Sequence, residues 1–191
     1  MQDAVDLPIT VKHRIGVDDF DSYEFLCEFV DTVAKTGCET FLVHARKAWL
    51  KGLSPKQNRE VPELNYDRVY QLKKDFPHLE IIINGGITTL EQSSEHLKHL
   101  DGVMIGREAY TNPYLLASVD QFIYGSDNPL KTREKVAEEF LKYVDNELSK
   151  GTKLSAMTRH ILGLFHGMPG ARQYRRHISE NAHKPSAGIE V

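Results

Sequence analysis

The chain has 191 residues, 40% hydrophobic and 27% charged, and its 24 lysines and arginines against 27 acidic residues give a formal net charge of −3. This globular composition excludes a disordered tail, a collagen-like fibre and a disulfide scaffold. No apolar run approaches the roughly 20 residues of a bilayer-spanning helix and no export signal follows Met1, so we expect a soluble, cytoplasmic protein.

Four short apolar runs rich in β-branched residues are predicted to be buried strands. They occupy residues 9–12, 41–44, 81–84 and 103–106. Segments with helical spacing separate them, and this βα alternation predicts an α/β fold with parallel strands and helices packed outside.

Two of the connecting segments carry clear helix signals. After the first run, Asp21 begins a capping-box pattern, and Phe25, Phe29 and Val33 follow at the spacing of one buried helix face. After the third run, a second capping box is predicted to begin at Thr89.

From about Lys131 onward, strands stop while helical stripes continue. One stripe runs from Val136 to Leu148, a second from Leu154 to Leu164, and a third helix is predicted from Ala171 to about Ser179. We therefore predict two domains, residues 1–125 and 126–191.

Charge is unevenly distributed along the chain. Residues 1–130 carry a net charge of −7 and residues 131–191 a net charge of +4, which suggests an anionic partner for the second domain.

Polar or glycine residues follow each predicted strand. They are Lys12 and Arg14, His44 and Arg46, Asn84-Gly85-Gly86, and Gly106-Arg107. In a parallel βα array these ends share the face where ligands bind. The last two groups suggest a phosphate cradle, because glycines admit an anion close to the backbone and an arginine can bind it bidentately.

The same residues could instead have purely structural roles. The cradle could be two glycine turns beside a surface arginine, and His44 could be a hydrogen-bonded strand-end histidine. In the cradle interpretation, Lys12 and His44 point at the non-phosphate part of the ligand, where they could hold developing negative charge on a ring.

Two further stretches combine positive charges in a way that suits RNA. Arg172, Arg175 and Arg176 share one helix face in the tail, and the loop after the second strand surrounds Trp49 with basic residues. A solvated basic face and a loop-anchoring tryptophan are the alternatives.

Several segments together resemble the tRNA-dihydrouridine synthases. They are Thr10-Val11-Lys12-His13-Arg14-Ile15-Gly16, His44-Ala45-Arg46-Lys47-Ala48, Asn84-Gly85-Gly86-Ile87 and Gly106-Arg107-Glu108-Ala109. The loop from Trp49 to Arg59 and the tail from Arg159 to Arg172 resemble the bacterial A subfamily in particular. The resemblance covers essentially the whole chain.

The resemblance implies an FMN enzyme on a TIM barrel with a helical RNA-binding domain, reducing the C5–C6 bond of a D-loop uridine in tRNA with NADPH as hydride source. It assigns FMN binding to Lys12, His44, Asn84, Gly85, Gly86, Gly106 and Arg107. The tRNA contacts that we select are Arg46, Lys56, Arg59, Arg172 and Arg175. No metal is implied.

The chain departs from the family in one respect. The family's catalytic cysteine lies in a Gly-Cys-Pro loop after the fourth barrel strand, and no Gly-Cys-Pro occurs here, while Cys27 and Cys38 have the surroundings of small core residues. The four strands therefore resemble the fifth to eighth of the barrel. We expect the second half of a TIM barrel, without the first, that is inactive alone and self-associates through its open strand edges.

Two other functions remain as alternatives. One is a different phosphate-binding barrel enzyme that acts on a small phosphorylated metabolite, which explains the glycine cradle but not the basic tail. The other is a non-catalytic RNA-binding remnant in which the barrel strands are only a scaffold.

Overall fold

Four parallel strands form the sheet around which the first part of the chain folds. A computed structural model describes residues 4–191, and its strands are β1 (Thr10–Arg14), β2 (Thr40–His44), β3 (Glu80–Asn84) and β4 (Gly102–Met104). Their spatial order is β1-β2-β3-β4, and each neighbouring pair is parallel. The four predicted strands are confirmed, each within two residues at either end.

Helices provide the crossovers that parallel strands require. They are α1 (Tyr23–Ala34), α2 (Tyr66–Asp75) and α3 (Leu90–Leu97), and a short 3-10 helix, Gln57–Arg59, interrupts the loop after β2. A parallel sheet built from consecutive βα units is an α/β architecture, consistent with part of a TIM barrel.

The chain divides into two compact units, one that ends at Gly106 and one that spans Arg107–Val191. Helices of the second unit are α4 (Arg107–Thr111), α5 (Val119–Phe122), α6 (Arg133–Ser149), α7 (Leu154–Thr158) and α8 (Ala171–Asn181). This unit has a core of its own around Val144, Leu154, Met157 and Ile178. The predicted domain division between residues 125 and 126 stays a prediction.

Every second residue of the two central strands, β2 and β3, is buried in the core of the first unit. Phe41 and Val43 of β2, and Ile81 and Ile83 of β3, are each 0% exposed and pack in one apolar cluster with residues of α1 and α2. Because side chains alternate between the faces of a strand, the residues between them point to the opposite face.

The predicted start of α1 is wrong, and of its three predicted face residues only Val33 packs against the core. Ser22, not Asp21, caps the helix, because its hydroxyl accepts from the backbone N–H of Phe25 while the Asp21 carboxylate binds Lys47 at 2.7 Å. The buried residues are Leu26 and Val30. Phe25 is 38% exposed and Phe29 37%, so these two rings flank the buried face.

The structure confirms the predicted start of α3 but not the predicted length of α7. The capping box that begins at Thr89 is confirmed, with Gln92 as its second member. In contrast, the predicted helix from Leu154 to Leu164 stops at Thr158, and turns follow through residues that include Gly163 and Gly167. Glycine weakens helices because it gains no side-chain packing and loses more backbone entropy on folding.

None of the helices in the described part of the chain combines the length and apolar character needed to cross a membrane.

Neighbouring isoleucines on opposite faces of β3 allow a matched test of this core. Ile81 is fully buried and Ile82 is half-buried. We expect Ile81→Ala to lower the free energy of unfolding by about 2–5 kcal/mol and Ile82→Ala to lower it by clearly less, because a buried cavity forms only in the first case. Urea denaturation followed by circular dichroism measures both, and equal losses would contradict the assignment of the faces.

Candidate functional site

The polar strand ends lie side by side in the first unit. His44 at the end of β2 pairs in register with Arg14 of β1 and with Asn84 of β3, and Asn84 pairs with Met104 of β4. The parallel sheet therefore brings the ends of all four strands to one edge, as ligand sites in such sheets require.

Lys12, His44 and Asn84 project from the face of the sheet opposite its helices. They occupy the positions that alternate with the buried Phe41 and Val43 on β2 and with Ile83 on β3. Lys12 Nζ donates across β2 to Asn84 Oδ1 at 3.2 Å, and Asn84 Nδ2 donates to the Met104 carbonyl at 2.8 Å. These contacts place the polar side chains in one group.

Two consecutive glycines follow β3 in the left-handed region. Gly85 has φ +122° and Gly86 has φ +71°, and a Cβ built on Gly86 would lie 2.7 Å from Leu64 Cδ1. A larger residue at Gly86 would be strained by its positive φ and would force the Leu64 side chain to shift. Such a bare turn lets a bound anion approach backbone N–H groups closely.

The fourth strand end carries Gly106 and Arg107. A Cβ on Gly106 would lie 3.9 Å from Asn84 Nδ2, so this glycine belongs to the same strand-end group. Arg107 follows directly in the chain as the first residue of α4 and of the second unit.

Lys12 and Arg14 of β1 lie close to other cationic side chains, which repel their positive charges. Burial and the charge of Arg14 lower the pKa of Lys12, and burial followed by the charges of Arg46 and Arg59 lowers the pKa of Arg14. Like charges held at this edge create a positive potential, which favours an anionic ligand.

Arg14 also organises the loop that follows β2. Its Nη1 donates to the carbonyls of Lys47 and Asn58, each at 2.9 Å. The Asn58 amide in turn accepts from the Trp49 N–H at 2.8 Å and donates to the Trp49 carbonyl at 2.7 Å. Side-chain hydrogen bonds to the backbone thus hold the loop at Lys47, Trp49 and Asn58.

The five residues predicted to contact tRNA have different exposures. Lys56 and Arg59 are exposed on the loop, whereas Arg46 is half-buried and donates to the Pro62 carbonyl. Trp49 is half-buried, with Lys47 Nζ 4.2 Å from its ring centroid.

The remaining two, Arg172 and Arg175, are exposed on α8 of the second unit beside Arg176. Ala171 and Ile178 are the buried residues of that helix. The predicted basic helix face is therefore present at the surface of this unit.

Neither cysteine lies among the strand-end residues. Cys38 is buried, with Sγ 3.5 Å from the Thr40 carbonyl, and Cys27 lies on α1, where burial raises the pKa of its thiol. A raised pKa leaves little thiolate, so these surroundings are those of core residues.

Sequence reasoning missed an aromatic cluster beside the glycine turn. Tyr66 Oη donates to the Gly85 carbonyl at 2.7 Å, and its ring meets the buried His96 at a centroid distance of 4.5 Å. Tyr70 Oη lies 2.7 Å from His96 Nδ1. Tyr66 follows directly after Asn65, which caps α2, and this place in the sequence gives no signal of a contact to Gly85.

The sequence profile of the dihydrouridine synthase family matches residues 1–191. The chain belongs to the dihydrouridine synthase family. It is 66% identical over 192 residues to the tRNA-dihydrouridine(20/20a) synthase of Vibrio cholerae, a match that covers 100% of the chain and 59% of the relative. The enzymes of the same name from Shewanella oneidensis and Escherichia coli K12 are 62% and 60% identical, with 57% and 56% of their lengths covered. The chain thus spans less than two thirds of these relatives.

The buried His96 makes stability depend on pH. Burial lowers the pKa of His96 in the folded chain, although the Glu95 charge opposes this. In the unfolded chain the imidazole titrates at about 6.5, so below that pH the unfolded state binds a proton that the folded state excludes. Stability should therefore fall as the pH decreases from about 6.5 towards the lowered pKa.

We expect His96→Gln to reduce the slope of the unfolding free energy against pH between about pH 7 and pH 5, because glutamine does not titrate. Some slope remains in the variant, since burial also lowers the pKa of His13. Urea denaturation at several pH values measures it. Identical slopes in the two proteins would show that His96 does not charge on unfolding.

Proposed function

We propose that this chain provides the flavin site and part of the tRNA-binding surface of a tRNA-dihydrouridine synthase. The proposed reaction reduces the C5–C6 double bond of a D-loop uridine, with FMN as cofactor and NADPH as reductant. Its main support is the strand-end group, in which Lys12 reaches Asn84 across β2 beside the Gly85-Gly86 turn.

The strand-end residues supply the kinds of groups that could bind the ring and the phosphate of a flavin nucleotide. Lys12 supplies a cation and His44 a hydrogen-bonding ring on the face opposite the helices, suited to an electron-rich ring system. The Gly85-Gly86 turn offers backbone donors to a phosphate, and we propose that Gly106 and Arg107 complete its binding. A flavin held there would supply the hydride-transfer chemistry that links NADPH to the uracil ring.

We also propose that uridine reduction needs a proton donor from outside residues 1–191. In the family that the sequence resembles, a Gly-Cys-Pro cysteine protonates the uracil, and Cys27 and Cys38 lie on a helix and in the core instead. By itself the chain would then bind substrate and cofactor without catalysing the reaction, and it could self-associate through the outer edges of β1 and β4.

FMN binding tests the proposed cofactor site. We expect the chain to bind FMN, and Lys12→Ala or Arg107→Ala to weaken binding about tenfold or more, because each removes a charge-assisted contact of about 1.5–3 kcal/mol. Equilibrium dialysis gives the dissociation constants.

The matched control is Lys98→Ala, which removes an exposed lysine paired with Glu95 after α3 and should leave FMN affinity unchanged. Failure of the wild-type chain to bind FMN, or equal weakening by all three substitutions, would contradict the cofactor site.

The salt dependence of tRNA binding tests the basic face of α8. We expect Arg172→Ala combined with Arg175→Ala to weaken tRNA binding and to reduce the slope of log affinity against log salt by about two, one for each lost phosphate contact. Filter binding at several salt concentrations measures both quantities.

Lys131→Ala combined with Lys135→Ala removes the same charge from the same unit and serves as control. Each of these lysines is engaged by a glutamate, Glu139 at 2.8 Å and Glu138 at 3.0 Å. An affinity that does not respond to salt, or the same loss in both double variants, would rule out a specific role for α8.

A further inference from the structure

We propose that Tyr66 is a positioning residue that orients the peptide between Gly85 and Gly86 and thereby sets the phosphate affinity of this turn. The inference rests on the proposed flavin site. It starts from one contact, the hydrogen bond of 2.7 Å that Tyr66 Oη donates to the Gly85 carbonyl.

Peptide geometry links this contact to the donor that an anion would meet. In a planar trans peptide, the carbonyl of one residue and the N–H of the next point in opposite directions. Tyr66 holds the Gly85 carbonyl on its own side, so the Gly86 N–H points away from the tyrosine. The hydroxyl thus determines which side of the peptide presents a donor.

The turn needs such a restraint because glycines stand on both sides of this peptide. Without a Cβ, Gly85 and Gly86 have access to more backbone conformations than other residues, and rotation of the peptide between them meets little steric resistance. A rotated peptide would present the Gly85 carbonyl oxygen where the N–H had been. A carbonyl repels a phosphate that an N–H would bind.

The surroundings of Tyr66 hold its hydroxyl in place. Its ring packs edge-on against the buried His96, and Leu64 packs against the turn at Gly86. Burial raises the pKa of the Tyr66 hydroxyl, so it remains protonated and able to donate. Residues from the start of α2 and from α3 therefore support a turn at the end of β3.

The test compares two ligands that differ only in the phosphate. FMN carries it and riboflavin does not, and Tyr66→Phe removes the hydroxyl while it retains the ring against His96. We expect this variant to bind FMN about tenfold more weakly, the effect of one lost hydrogen bond, and to bind riboflavin within about twofold of the wild-type affinity. Equilibrium dialysis provides all four dissociation constants.

Tyr70→Phe is the matched control, because it removes a hydroxyl from the same cluster without touching the turn. We expect it to change neither affinity by more than about twofold. Thermal melts of both variants verify that each is folded.

Two results would overturn the positioning role and leave the flavin site intact. They are an unchanged FMN affinity in Tyr66→Phe, and an equal loss of FMN and riboflavin affinity, which would indicate general damage to the site. A wild-type chain that binds no FMN would overturn the flavin site and the role of Tyr66 together, so the two failures are distinguishable.

Discussion

The parallel register of the four strands is the constraint on which the candidate site depends. It pairs His44 with Arg14 and Asn84, so that polar residues far apart in sequence meet at one edge of the sheet. A slip of one residue in any strand would turn its polar side chains towards the helices and its apolar ones away from them. Burial of Phe41 and Ile83 on the helix side therefore also fixes Lys12, His44 and Asn84 on the other.

Electrostatics explains why this edge suits an anion. Burial and neighbouring positive charges lower the pKa values of Lys12 and Arg14, because these cations have less solvation and more repulsion than free side chains have. An anionic ligand would relieve that repulsion, and any ligand that binds only the folded state stabilises it. The Gly85-Gly86 turn supplies donors beside these charges without adding another cation.

The sequence predicted the strands and strand-end residues because both depend on local patterns. Short β-branched runs indicate strands, and parallel topology then places their ends together. Helix details were less predictable: Asp21 and Ser22 can both cap a helix, and in the fold Ser22 caps α1 while Asp21 binds the distant Lys47. Tyr66 was missed for the same reason, since its contact to Gly85 joins residues 19 positions apart and leaves no periodic signal. Local patterns cannot reveal contacts that the tertiary fold creates.

Membership in the dihydrouridine synthase family and the geometry of the strand ends support one account, in which this edge holds the phosphate and ring of FMN. The most direct measurement is the change in backbone amide chemical shifts when FMN is added to the isotopically labelled chain. The account predicts that the largest changes fall on Gly85, Gly86 and Gly106, with smaller ones at Lys12 and His44. Changes confined to other surfaces, or none at these amides at saturating FMN, would contradict it.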